Sequence, residues 1–259
     1  MGGRGIALGG GGLGAIILAV IACLLGGDPS QFLEGLTGSA PPPTQQQPAA
    51  NNVPNRPADE NRQCVGAIMG SLEDTWRTTL PQQSRVRYQD PQLVLFSGQV
   101  SSACGYADAA VGPFYCPGDQ KLYLDFTFFD ELRREFKAPG DFAQAYVIAH
   151  EFGHHIQNLT GVMGRVQRQG QNNRLSVALE LQADCYAGIW AKQQQGRLET
   201  GDVDEALRAA SAVGDDMIQK RTQGFVVPDS FTHGSAAQRQ KAFAIGMQSG
   251  DMRQCETFR

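Results

Sequence analysis

Four histidines occur in the 259 residues, and three of them fall within the six-residue stretch His150–His155. Around them Phe142, Ala145, Ala149, Phe152 and Ile156 recur at three- and four-residue steps, an apolar stripe that predicts an α-helix. Pro139-Gly140-Asp141 supplies a break and an N-cap just ahead of it. Residues four apart share a helical face, so His150 and His154 present their imidazoles side by side with Glu151 next to them. A fold that buries such a helix must bring up polar partners for that face, because unpaired polar groups are costly in an apolar interior. No other feature restricts the architecture as strongly.

The order His150-Glu151-Phe152-Gly153-His154 is HExxH, which suits two imidazole ligands to one metal ion with a carboxylate placed as a general base. Catalytic zinc takes three protein ligands and keeps one position open. Glu180, on a second predicted helix, completes a His₂Glu set for one Zn²⁺ per chain. Asp184, one turn further along that helix, is placed to accept a hydrogen bond from a ligand histidine and fix its tautomer. Glu180 and Asp184 sit within the apolar run LSVALELQADCYAGIW, where a carboxylate without a partner would be expensive. His155 points roughly 100° away from its neighbour around the helix and reads as a partner or surface residue. His233, in SFTHGS, precedes a final helix. It is the candidate donor to the oxyanion of a reaction intermediate, with a capping or packing role as the plainer alternative. Arg239 would assist it by binding substrate or holding the loop.

The stretch 5–27 carries no charge and is long enough, at about 1.5 Å per residue, to cross a bilayer of about 30 Å. Arg4 precedes it and Asp28 and Glu34 follow, so the expected topology is a single-pass anchor (1–28) with the N-terminus cytoplasmic and the body outside. A cleaved signal peptide and a lipidated Cys23 are the competing readings. Residues 29–61, rich in Pro, Gln and Asn, read as a disordered tether. Residues 62–259 form the folded domain. Its expected elements are a helix around Val65–Leu80, strands at Leu93–Val100 and Lys121–Phe128, and a helix near Phe129–Phe136. The metal helix follows, then helices at Leu175–Gln194, Asp202–Thr222 and Ser235–Gln248. The fold class is α+β, mainly helical with a small sheet.

A formal charge of −4 gives no basic surplus, so nucleic acid is discounted as a partner. In an oxidising compartment the cysteines would pair. Cys104 and Cys116 are the best local pair, Cys64 and Cys255 could close the domain, and Cys185 would stay free. No CxxC or Cys-His spacing points to a zinc finger.

HEFGHHIQ, ELQADCYAGIW, GPFYCP, VVPDSFTHGSAAQR and the glycine-rich N-terminal segment together resemble the bacterial neutral zinc metallopeptidase family over nearly the whole chain. More distantly, HExxH followed by ExxxD is similar to the gluzincin arrangement. Thr232-His233-x-Ser-x-x-x-Arg239 is similar to the late THPSxxxR pattern of Ste24/HtpX-type membrane peptidases, with Gly234 in place of their proline. The resemblance implies a zinc peptidase fold with a small sheet beside the active-site helix, acting on a peptide or protein substrate. On this expectation Glu151 is the base, and an edge strand from the Lys121–Phe128 region aligns an extended peptide. The rival readings are a non-catalytic, zinc-stabilised and membrane-tethered binding module, and a zinc hydrolase of a non-peptide amide such as one in the cell wall.

Overall fold

The computed structural model describes residues 56–108, 112–125, 127–128, 141–170 and 172–258. The expected anchor, most of the expected tether and the expected helix at Phe129–Phe136 lie outside these residues. Among the described residues no helix is long and apolar enough to cross a membrane.

Helix α1 spans Arg56–Ser84 and begins inside the stretch read from sequence as tether. Val65, Met69, Leu72, Trp76 and Leu80 recur at steps of three and four and are all buried, so one stripe docks α1 on the core. Two small sheets follow. β1 (Gln92–Phe96) pairs in parallel with β5 (Lys121–Asp125), and β4 (Phe114–Cys116) pairs antiparallel with the other side of β5, giving the order β1-β5-β4. β2 (Gln99–Ser102) and β3 (Gly105–Asp108) form a separate hairpin. The single strand expected at Leu93–Val100 is therefore split. Gly98, at φ 85°, turns the chain between β1 and β2.

Helix α2 (Asp141–Leu159) lies at the centre, against α4 on one side and β4 on another. From Phe142 to Gln157 only Gln144 escapes full burial. A helix so enclosed buries polar as well as apolar side chains, and replacing Phe152 by Ala would cost roughly 3–5 kcal/mol. α3 (Val162–Gln169) is short; α4 (Asn173–Gln193) is capped by Asn172, whose side chain accepts from the Leu175 N–H at 3.0 Å. The expected helix over Asp202–Thr222 is two helices, α5 (Asp202–Ala212) and α6 (Asp215–Gln223). The break falls at Gly214, where a Cβ would stand 2.4 Å from the Ala236 nitrogen. Only glycine lets the two chain segments approach so closely. α7 (Ala236–Ser249) opens with a capping box between Ser235 and Gln238 and packs along α4.

Cys104, in the β2–β3 turn, is bonded to Cys116 of β4. The second bridge joins Cys185 of α4 to Cys255, in a 3₁₀ turn over Met252–Cys255, and among the described residues leaves Cys64 free. This corrects the expected Cys64–Cys255 pair. The C-terminal segment lies on α4, where Thr257 Oγ1 donates to the Ala178 carbonyl at 2.6 Å, and so delivers Cys255 to Cys185. The bridge spans 70 residues, for which the chain-entropy account gives roughly 4 kcal/mol.

Candidate metal centre

Helices α2 and α4 meet at Gly153, where a Cβ would stand 2.9 Å from the Ala183 carbonyl oxygen. The missing side chain allows Glu180 to reach across to both histidines. His150 Nε2 lies 3.1 Å from Glu180 Oε2, and His154 Nε2 lies 3.5 Å from Glu180 Oε1. One ligand atom from each of His150, His154 and Glu180 falls within 4.8 Å of the others, and all three residues are buried. His154 Nε2 and Glu151 Oε2 are buried without a hydrogen-bond partner. Buried polar atoms are rarely left so, and two of them beside a convergent N, N, O donor set fit a zinc ion with an open coordination position.

Behind the donors stands a second layer of charge. Asp184 Oδ1 accepts from His150 Nδ1 at 2.8 Å, and also from the Tyr146 hydroxyl. Arg239 grips the same carboxylate with two bonds, Nε to Oδ2 at 2.8 Å and Nη2 to Oδ1 at 2.9 Å. Its Nη2 also stands 3.9 Å from Glu180 Oε2, and its Nη1 donates to the Val213 carbonyl at 3.3 Å. Arg239, expected to bind substrate or hold the His233 loop, is buried and committed to Asp184. Burial alone would push the Glu180 carboxyl up, but His154 and His150 hold it well below the usual carboxylate range. For Asp184 burial is likewise outweighed, chiefly by Arg239 and then His150. Burial would push the His150 imidazole down, yet Asp184 and then Glu180 bring it up to about 10. Glu151 differs. Burial raises its carboxyl, and His154 and His150 only partly offset this, so it is a stronger proton acceptor than an ordinary glutamate.

His155 is fully buried, which corrects the surface alternative. Its Nε2 donates to the Gln89 carbonyl at 2.7 Å, so its Nδ1 is the acceptor for the Tyr115 hydroxyl at 3.1 Å. Tyr115 also accepts from Asn158 Nδ2 at 3.0 Å. These bonds pin β4 to α2, and the Tyr115 backbone hydrogen-bonds the Glu151 carboxylate. The expectation of an edge strand from the Lys121–Phe128 region is not met. β5 is the central strand, and β1 and β4 are the outer ones, with β4 next to Glu151.

His233 is buried at the entrance to α7, and its positive form would act on Glu180. Its Nδ1 faces Asp215 Oδ1 at 3.2 Å. Asp215 Oδ2 accepts backbone N–H groups from Thr232 and His233 at 2.7 Å and from Gly234 at 3.0 Å. Sequence reading missed Asp215, because the break at Gly214 that aims its side chain at this loop is invisible in an acidic stretch. It also missed Tyr146, Gln157 and Gln182. The only trace of the glutamines was their place in the two metal motifs, Gln157 three residues after His154 and Gln182 between Glu180 and Asp184.

A family model described as "Putative neutral zinc metallopeptidase" matches residues 1–258. "Uncharacterized protein YpfJ" of Escherichia coli (strain K12) is 46% identical over 268 residues, covering 100% of this chain and 91% of the relative. "Uncharacterized protein Rv2575" of Mycobacterium tuberculosis (strain ATCC 25618 / H37Rv) is 49% identical over 218 residues, covering 78% of this chain and 73% of the relative. No solved structure matches the chain. With a match over nearly its full length and a buried His₂Glu donor set at the motif, the chain belongs to this neutral zinc metallopeptidase family.

Proposed function

We propose that the chain is a membrane-anchored zinc endopeptidase that holds one zinc ion through His150, His154 and Glu180 and uses Glu151 as its general base. The observation that carries this reading is the Glu151 carboxylate, whose Oε2 is buried without a hydrogen-bond partner beside the three donors. A purely structural zinc site closes all four positions with protein ligands and needs no base alongside. Zinc in such a site supplies Lewis acidity, acidifying water and polarising a carbonyl. Glu151, with its carboxyl raised by burial, takes the proton of the attacking water and returns it to the leaving amine. Asp184, fixed by Arg239 and Tyr146, keeps the hydrogen of His150 on Nδ1 and so turns Nε2 toward the metal position. His233, whose Nδ1 is engaged by Asp215, offers Nε2 to the negative oxygen of the tetrahedral intermediate.

The charge-free segment over 5–27 and the acidic residues after it support an N-in anchor with the domain outside the cytoplasm. The bridges Cys104–Cys116 and Cys185–Cys255 suit that compartment. The test uses full-length protein in detergent, assayed for bound zinc and for cleavage of an unfolded protein substrate and of cell-wall fragments. Glu151→Gln should keep one zinc per chain and lose about 10²- to 10⁴-fold in kcat on the protein substrate. Parental turnover in that variant would remove Glu151 as the base. Hydrolysis of the cell-wall amide alone would replace the substrate class.

A further inference from the structure

His150 and His154 are oriented by different chemistry. A charged Asp184–Arg239 pair stands behind His150, whereas His154 is backed only by neutral amides. We infer that Gln157 and Gln182 form a relay of fixed polarity that sets the tautomer of His154 and ties its metal affinity to the Cys185–Cys255 bridge. The inference rests on the zinc reading for its affinity part, and on hydrogen-bond geometry alone for its tautomer part.

The direction of the relay follows from its two ends, which are backbone carbonyls and can only accept. Gln182 Nε2 donates to the Cys255 carbonyl at 3.1 Å, which turns Gln182 Oε1 toward Gln157. Gln157 Nε2 then lies between two acceptors, the Leu179 carbonyl at 2.7 Å and Gln182 Oε1 at 3.2 Å, and both its hydrogens are used. Gln157 Oε1 must therefore face His154 Nδ1, at 2.8 Å. A neutral imidazole carries one ring N–H, so the hydrogen sits on Nδ1 and the lone pair on Nε2. That Nε2 is the buried nitrogen without a hydrogen-bond partner beside Glu180. His154, Gln157, Gln182 and Cys255 are all buried, so no solvent replaces a link that breaks. Reversing either amide would set N–H against N–H, or oxygen against a carbonyl. The far anchor is the Cys255 carbonyl, held in place because its own sulfur is bonded to Cys185 of α4. The bridge thus reaches His154 through three hydrogen bonds.

The test measures zinc affinity by chelator competition on full-length protein in detergent, together with the His154 ring N–H by NMR of isotope-labelled histidine. Gln157→Met and Gln182→Met should weaken zinc binding by about 10- to 100-fold, the range found when groups behind a ligand are removed. Cys185→Ala/Cys255→Ala should weaken it in the parental chain and cause no additional loss once Gln182→Met is present. Circular dichroism identifies variants that fail to fold; Gln182→Met leaves the bridge intact and carries the test by itself. At a pH high enough to keep the ring neutral, the zinc-free parental chain should show the His154 hydrogen on Nδ1, and Gln157→Met should show a mixture. Parental affinity in both glutamine variants, while His154→Ala loses its zinc, overturns the relay and leaves the metal site standing. Additive losses from the bridge and Gln182 overturn the coupling. If the parental chain binds no zinc, the metal reading fails, and the NMR comparison still decides the relay.

Discussion

Helix α2 carries buried imidazoles on two faces, and they do opposite things. On the face toward α4, His150 and His154 look at Glu180 and Asp184, and the His150 imidazole is pushed up to about 10 despite burial. On the face toward the sheet, His155 meets the Gln89 carbonyl and the Tyr115 hydroxyl, and burial pulls it below the usual histidine value. Residue type, helix and depth are the same. The difference is the charge of what stands opposite. Carboxylates without enough cations to balance them demand a proton or a metal ion, whereas a carbonyl and a hydroxyl are satisfied by a neutral ring. One face is a place for chemistry; the other is a fastener that fixes β4 beside Glu151.

The comparison can be broken most directly at the metal. His154→Ala should take bound zinc from one per chain to near none in elemental analysis, and hydrolysis should go with it. Full zinc in that variant would erase the distinction between the two faces. Next in size is Arg239→Met, which strands the Asp184 carboxylate in a buried site. It should cost about 3–5 kcal/mol in denaturant unfolding of the zinc-free chain, since one partner of a buried ion pair is lost. A loss below about 1 kcal/mol would mean that the histidines, and not Arg239, balance Asp184.

The sheet-facing side gives the contrasting result. His155→Leu removes the partners of a buried carbonyl and a buried hydroxyl and should lower stability by about 2–3 kcal/mol. Zinc content should stay at one per chain. Zinc lost in proportion to stability would show that the fastener and the metal site are one unit.

The metal-facing side of this contrast was legible in sequence, because its information is local. HExxH on an apolar stripe and ExxxD within an apolar run each declare a helix face, and two such faces need each other. Cys104 and Cys116, close along the chain, were likewise paired correctly. What stayed hidden depends on where distant segments land. Cys255 meets Cys185 because the C-terminal turn lies on α4, and Arg239 reaches Asp184 because α7 packs along α4. The choice between partner and surface for His155 stayed open for a related reason. Rotation away from one buried face leads to solvent or to a second packed face, and the sheet that covers that face of α2 has a strand order the sequence did not reveal.

The smallest expected effect concerns the fourth buried imidazole, His233, which stands off helix α2 and has a carboxylate of its own bonded to it. Asp215 is that carboxylate. Burial would raise its carboxyl, but the hydrogen bond and charge of His233 and the N–H groups of Thr232 and His233 hold it below the ordinary aspartate value of 3.8. A carboxyl depressed in the folded state stabilises above its unfolded pKa, near pH 4, and that stability disappears as the pH falls through the lower folded value. Asp215→Asn keeps the shape and one acceptor oxygen but removes the charge, so near neutral pH it should cost only about 1 kcal/mol. The gap between parent and variant should hold from neutrality down to about pH 4 and close below it. Urea unfolding of both chains across that range is the measurement. No gap at any pH in that range would mean that the shape of the Asp215 side chain, and not its charge, holds the His233 loop. His233 would then belong with His155 as a packed ring, in contrast to His150, whose imidazole is set by the carboxylates opposite it.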